Sequence, residues 1–162
     1  MGGDGCTEVD ARRRLEHHVV VSDTCVFCDI VRGSVAADVV LSDDVAVAFL
    51  DRSPLFHGHT LVVPRRHVLT LPDLTIDEIG PFFERVRLVA AAMPGALGAQ
   101  GTFVANNNVV SQSVAHMHVH VVPRTRGDGL RGFFWPRHRY ADGEAASIAD
   151  VLRRELDALS AG

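Results

Sequence analysis

The sequence predicts an α+β protein: a five-stranded, mostly antiparallel sheet with one long helix and one C-terminal helix. Three observations predict it. Short β-branched runs are separated by clusters of Gly, Pro, Asp and Ser, the signature of strands and turns. One long stretch opens on a capping box and continues with helical spacing of apolar residues. A last amphipathic stretch closes the chain. With 162 residues, 47% hydrophobic and 22% charged, the chain can bury a core without covalent staples. A single domain is expected over residues 23–162, behind a flexible N-terminal arm, residues 1–22.

The elements follow in order. The arm mixes Gly, Asp, Arg and His without a period, although His17 to Val21 could add an edge strand. It contains no apolar signal-peptide core, so the cytoplasm is the expected compartment. Asp29 to Gly33 reads as a short helix stopped by Gly33. Asp38 to Leu41 and Val45 to Leu50 read as a hairpin around Ser42-Asp43-Asp44, and His59 to Val63 as a third strand stopped by Pro64. Thr75-Ile-Asp-Glu78 is a capping box, and Ile79, Phe82, Phe83, Val86, Val89 and Ala90 follow on one helical face. Pro81 inside that pattern predicts a kink or restart, and Pro94-Gly95 predicts the end. Gly101 to Ala105 and Val114 to Val122 give the fourth and fifth strands. Gly143 to Leu159 is the closing helix, with Ile148, Val151, Leu152, Leu156 and Leu159 on its apolar face.

Charge and composition exclude some functions. The net charge of −4 implies no strongly basic face, which argues against a duplex nucleic-acid partner. No apolar run approaches the roughly 18 residues of a membrane span. All 16 basic residues are arginine, so Schiff-base chemistry and a Walker A loop are excluded. The three cysteines, Cys6, Cys25 and Cys28, argue against a disulfide framework in that compartment. Cys25-Val-Phe-Cys28 is a CxxC pair: redox-active, half of a zinc site, or chance. The βαβ surroundings of a thioredoxin-like motif are absent, and zinc needs two further ligands.

His116-Met-His118-Val-His120-Val-Val is the strongest signal in the chain. On a strand, this spacing puts the three imidazoles in a row on one face, roughly 6.5–7 Å apart. Met117, Val119 and Val121 then face a core. The row could be unremarkable strand histidines, a catalytic metal site, a contact strip, or a nucleophilic centre. Nucleophilic catalysis is favoured: imidazole attacks phosphorus well and leaves well once protonated. A flanked central histidine can also be held in one tautomer.

With these residues the chain resembles the histidine triad (HIT) family of nucleotide hydrolases and transferases, whose pattern is His-φ-His-φ-His-φ-φ with φ apolar. The resemblance runs from about Cys25 to Arg124. It includes Asp29-Ile-Val-Arg-Gly33, Ala48-Phe-Leu-Asp51, Gly58-His-Thr-Leu-Val-Val-Pro64 with His67 after it, Gln112-Ser-Val114 and Val122-Pro-Arg124. It implies the HIT fold, a homodimer across which the sheet continues, and a purine (adenine) nucleotide or dinucleoside polyphosphate as substrate.

The resemblance also implies roles. His118 would attack the α-phosphate and form a nucleotidyl-histidine intermediate, with His120, His116, Gln112 and Ser113 around the phosphate. Asp51 would take the ribose hydroxyls, while Phe27, Ile30 and Phe49 would wall the base. Cys25, Cys28, His67 and His116 would hold a structural Zn²⁺. His59 would support the triad from behind, and His57 would lie at the surface. The chain departs from the family at its phosphate loop, Ala105-Asn-Asn-Asn-Val-Val-Ser-Gln112. Counting back from His116, the loop asparagine falls on Ala105, or on Asn106 if one residue is missing. No Gly stands at the turn, so Asn107 or Asn108 is expected to adopt the left-handed conformation, and Ser111 replaces a smaller residue. The basic, aromatic stretch from Arg124 to Tyr140 could bring Arg124, Arg126, Arg131 or Trp135 to the nucleotide, or serve as a packing or dimer loop. A phosphoramidase, a dinucleoside polyphosphate phosphorylase, a low-turnover nucleotide-binding module and a zinc hydrolase on the triad itself remain as alternatives.

Overall fold

A computed structural model describes residues 25–130 and 138–160. The N-terminal arm, the edge strand suggested at His17 to Val21, and Arg131 and Trp135 lie outside the described residues. The chain forms two compact units, one through Arg126 and one from Gly127.

In the first unit, α1 (Val26–Arg32) precedes the hairpin of β1 (Val39–Ser42) and β2 (Ala46–Leu50), then β3 (Thr60–Pro64). A single 3₁₀ turn, Leu71–Asp73, leads into α2 (Ile76–Leu97), followed by β4 (Gly101–Asn106) and β5 (Val119–Arg124). The strands form one sheet in the order β1-β2-β3-β5-β4. Every neighbouring pair is antiparallel. In the second unit, α3 (Glu144–Ser160) presents Ile148, Val151, Leu152, Leu156 and Leu159 as exposed residues. No helix among the described residues is long and apolar enough to cross a membrane.

Alternation along the strands builds two apolar layers. Ala46, Ala48, Val62, Met117, Val119 and Val121 pack with Phe82, Val86, Val89 and Met93 of α2. On the opposite face Val47, Phe49, Leu61 and Val63 pack with Phe27 of α1. Both faces of the central strands are therefore covered, and their sequences read as continuous apolar runs. The same alternation sends His118 and His120 to the α1 face.

Three expectations are corrected. The fifth strand begins at Val119, not Val114, because residues 114–118 bend into the site before pairing starts. Helix α2 runs through Pro81 and Pro94 to Leu97, with no break at Gly95. Each proline forfeits only one intrahelical donor. The Thr75/Glu78 capping box fixes the start, with Thr75 N–H donating to Glu78 at 2.8 Å. At the other end Gly98, with φ of 66°, caps the Pro94 carbonyl at 2.9 Å. The apolar face of α2 is also wider than the core needs: Phe82 is buried, whereas Ile79 and Phe83 are exposed.

Two contacts join the hairpin and the β2–β3 loop to α2. Asp43 accepts the N–H groups of Val45 and Ala46 at 2.9 and 3.0 Å, and its other oxygen takes the Arg85 Nε–H at 2.8 Å. Gly58 sits at φ of 95°, and a Cβ there would lie 2.3 Å from Leu97 Cδ1. The exposed Leu97 side chain can swing aside, so the left-handed φ is the demand that favours glycine here. Gly58→Ala is therefore expected to lose roughly 1–3 kcal/mol of stability in denaturant titration. The backbone donors and Arg85 hold the Asp43 carboxyl down to about 2. A depressed folded-state value means that Asp43 stabilises the fold above the usual carboxylate range and loses that contribution as pH falls toward 2. Asp43→Asn should flatten this part of an acid-unfolding curve, read by circular dichroism.

Candidate active site and metal centre

The site forms where β5 begins, under α1 and beside the loop after β2. His118 Nδ1 lies 2.7 Å from the His116 carbonyl oxygen. A carbonyl only accepts, so Nδ1 carries the proton and Nε2 keeps its lone pair. His116 follows the same logic with the nitrogens exchanged. Its Nε2–H donates to the Pro64 carbonyl at 3.0 Å, leaving Nδ1 bare toward the cysteines. His120 Nδ1 lies 2.9 Å from His59 Nε2, and the Leu55 N–H donates to His59 Nδ1 at 3.2 Å. Burial dominates the electrostatics. It lowers His116 and His120 to about 4, and it lowers His59 against the opposing pull of Asp51. These imidazoles are neutral near pH 7.

His118 and His120 lie with ring centroids 5.0 Å apart in the wall of a cleft of about 800 Å³. Phe27 stands edge-on to His118 at 5.2 Å and to Phe49 at 5.3 Å. Ile30 continues that wall, and Asp51 and Ser113 also line the cleft. One Asp51 oxygen accepts the Ser53 N–H at 2.8 Å, and the other lies 3.5 Å from His59 Nδ1. The predicted His118, His120, Asp51, Phe27, Ile30, Phe49 and Ser113 thus meet at one cavity. Its lining also includes Leu61 and the segment Val35 to Asp38, which carried no motif. Leu61, within the Gly58 to Pro64 stretch, stands opposite His120 in the β3–β5 register. His57 is exposed, as expected.

Two predicted residues lie elsewhere. The Gln112 side chain does not line the cleft: its Nε2–H donates to the Leu69 carbonyl at 2.6 Å and its Oε1 accepts the Val109 N–H at 2.8 Å. Asn106 stands opposite Val119 in the ladder, on the α2 side, and donates to the His118 carbonyl at 2.8 Å. Both are framework residues of the loop and strand. The left-handed residues of the loop are Val109 and Ser111, at φ of 65° and 61°, rather than Asn107 or Asn108. Asn108 instead accepts the Leu71 N–H at 2.8 Å, so two side chains clamp this loop to residues 69–71.

On the other side of His116, Cys25, Cys28, His67 and His116 offer ligand atoms that all lie within 4.8 Å of one another. The thiol–imidazole separations are 3.5 Å for Cys25–His116, 3.2 Å for Cys28–His67 and 3.5 Å for Cys28–His116. Zn–S near 2.3 Å and Zn–N near 2.0 Å at a tetrahedral angle give S···N of roughly 3.5 Å. The donor set therefore fits a closed tetrahedral ion, with Pro64 orienting His116 from behind. Burial and the neighbouring Cys25 push the Cys28 thiol up to about 11. A divalent cation there would reverse that shift and hold the thiolates.

An antiparallel sheet that delivers alternating histidines to a nucleotide-sized cleft defines a histidine triad protein. The HIT domain family model matches residues 32–127, and the chain belongs to that family. The protein Hit of Bacillus subtilis is 35% identical over 140 residues, 83% of this chain and 96% of its own. The adenylylsulfatase HINT3 of Arabidopsis thaliana is 31% identical over 90% of this chain and 76% of its own. The adenosine 5′-monophosphoramidase hnt1 of Schizosaccharomyces pombe is 26% identical, covering 82% and 98%. Among solved structures, a HIT family member from Bacillus subtilis superposes with a TM-score of 0.75 at 30% identity, covering 82% of this chain and 96% of that one. A Zn-bound histidine triad protein from Mycobacterium smegmatis gives 0.63 at 32% identity, covering 84% and 97%.

The cluster generates a direct test. The purified chain is expected to carry about one tetrahedral divalent ion. Cys28→Ser should lose it by elemental analysis and lower the Tm by roughly 5 °C or more. An unchanged metal content in the variant would refute the assignment.

Proposed function

We propose that this protein is a nucleotide hydrolase or transferase that works at the α-phosphate of a purine (adenine) nucleotide through a covalent intermediate on His118. The observation that carries the reading is the His118 Nδ1–H bond to the His116 carbonyl, which leaves the Nε2 lone pair in the cleft wall beside His120. Nε2 attacks phosphorus as the bond to the leaving group breaks, and water or a second acceptor then releases the nucleotide from His118. His120 and the backbone N–H groups around Ser113 face the charge that develops. Asp51 accepts the ribose hydroxyls, and Phe27, Ile30 and Phe49 wall the base.

The remaining assignments belong to the same proposal. Zn²⁺ bound by Cys25, Cys28, His67 and His116 plays a structural role: the four donors fill a tetrahedron and leave no open position for water. A second copy pairs along the edge strand β4, where Val104 is exposed, as are Phe83 and Leu88 on α2. The working compartment is the cytoplasm.

The names of the relatives favour AMP conjugates as substrates. A phosphoramidase reading draws on the fission-yeast relative, and a sulfatase-type leaving group on the plant one. A dinucleoside polyphosphate phosphorylase and a low-turnover binding module differ only in acceptor and rate.

Incubation with an AMP conjugate labelled in the α-phosphate should trap label on His118, seen by peptide mass spectrometry after rapid acid quench. His118→Ala should lose the label and at least about 10³-fold in kcat. Turnover retained by the variant would overturn the covalent mechanism. AMP binding without turnover on phosphoanhydride, phosphoramidate and sulfate substrates would identify a binding module.

A further inference from the structure

Cys25-Val-Phe-Cys28 can carry chemistry that a structural metal does not use. Both cysteines are partly exposed, whereas His116 beside them is fully buried. A small solute therefore reaches sulfur before it reaches the imidazole. The two Sγ atoms lie within 4.8 Å of each other. The Asp29 N–H donates to the Cys25 carbonyl at 3.0 Å, so both cysteines belong to the opening turn of α1. Joining the sulfurs asks for side-chain rotation within that turn and moves no second element.

Metal binding and oxidation exclude each other at this cluster. The bare Nδ1 of His116 lies 3.5 Å from each sulfur, and Cys28 Sγ lies 3.2 Å from His67 Nδ1. A thiolate is a metal ligand, and a disulfide sulfur has given up the charge that makes it one. After oxidation the cluster keeps two imidazoles, too few for a closed tetrahedral site. The change reaches His118 by two routes. Phe27, between the two cysteines, stands edge-on to His116 at 6.0 Å and to His118 at 5.2 Å. The His116 carbonyl holds the His118 Nδ1–H at 2.7 Å.

We propose that Cys25 and Cys28 are a reversible modification site for peroxides: oxidation to a Cys25–Cys28 disulfide expels the structural ion and slows turnover at His118. This rests on the metal and covalent readings above and adds a control that acts on both. One thiolate attacks a peroxide oxygen, the O–O bond breaks, and a sulfenic acid and hydroxide form. The second thiolate attacks that sulfur, and the S–S bond forms as the S–O bond breaks and a second hydroxide leaves. Both hydroxides take protons from solvent. Hydrogen peroxide is thereby reduced by two electrons to two waters, while two thiolates become one disulfide. A dithiol reverses the modification by exchange.

The test uses the Zn²⁺-loaded full chain carrying Cys6→Ala, which leaves Cys25 and Cys28 as its cysteines. Hydrogen peroxide should release one ion per disulfide to a chromophoric chelator, and peptide mass spectrometry should find Cys25 linked to Cys28. The kcat on an AMP conjugate should fall by about tenfold, the lower end of the loss expected when groups behind a site are removed. Dithiothreitol with Zn²⁺ should restore both metal and kcat, which separates the disulfide from sulfinic acids and from methionine oxidation. His118→Ala should release its ion in the same way, so failure of the covalent mechanism leaves this result intact. An ion retained under peroxide with both thiols intact overturns the proposal. So does sulfinic acid in place of the disulfide, or an oxidised, ion-free protein with unchanged kcat. A chain that takes up no Zn²⁺ before treatment refutes the metal assignment and, with it, this proposal.

Discussion

His116 bonds in three directions, and the arrangement of the site depends on all three. Its Nδ1 joins the thiol–imidazole cluster, its Nε2–H is spent on the Pro64 carbonyl, and its own carbonyl fixes the proton of His118. One fully buried residue thereby couples the start of α1, the end of β3 and His118. If the ring turned, the bare nitrogen would leave the cysteines. If the backbone moved, His118 would lose the bond that fixes its tautomer. The fold contributes rigidity: Met117, next in sequence, is packed under α2 and donates its N–H to the Val68 carbonyl at 2.7 Å. Interiors this dense allow few intermediate positions.

The sheet explains why the motif is periodic. Met117, Val119 and Val121 need the α2 side, so the residues between them are free to carry chemistry on the α1 side. Phe27 closes that second side, stacking edge-on against His118, His116 and Phe49. Burial among aromatic and aliphatic carbon is what lowers His116 and His120 to about 4.

Much of this was legible in the sequence where a residue's role follows from period or from chemistry. The hairpin around Asp43, the capping box at Thr75 and the face of α2 carrying Phe82, Val86 and Val89 are local patterns, and local energetics settled them. That Cys25, Cys28, His67 and His116 come together was legible because few side chains bind soft cations and these four are among them. The loop was not legible. Gln112 looked like a substrate contact because it precedes the triad, yet the Leu69 carbonyl and Val109 N–H claim both ends of its amide. Those partners are backbone groups, which every residue has, so composition gives no hint of them. Asn106 was misplaced for a similar reason: pairing register, not count from His116, decides which face it takes. The direction of the His59–His120 bond depends on a backbone donor, Leu55, that likewise leaves no mark in sequence.

The glycine-free turn has a thermodynamic consequence of its own. Val109 holds a left-handed φ of 65°, which is costly for a β-branched residue, while Gln112 ties the loop to the Leu69 carbonyl and Asn108 ties it to the 3₁₀ turn that opens at Leu71. Such a segment wanders less in the unfolded chain than one rich in glycine, so ordering it forfeits less entropy. Enthalpic strain at Val109 and Ser111 is thus exchanged for a smaller entropic loss over the whole turn, which its side-chain clamps hold in one shape.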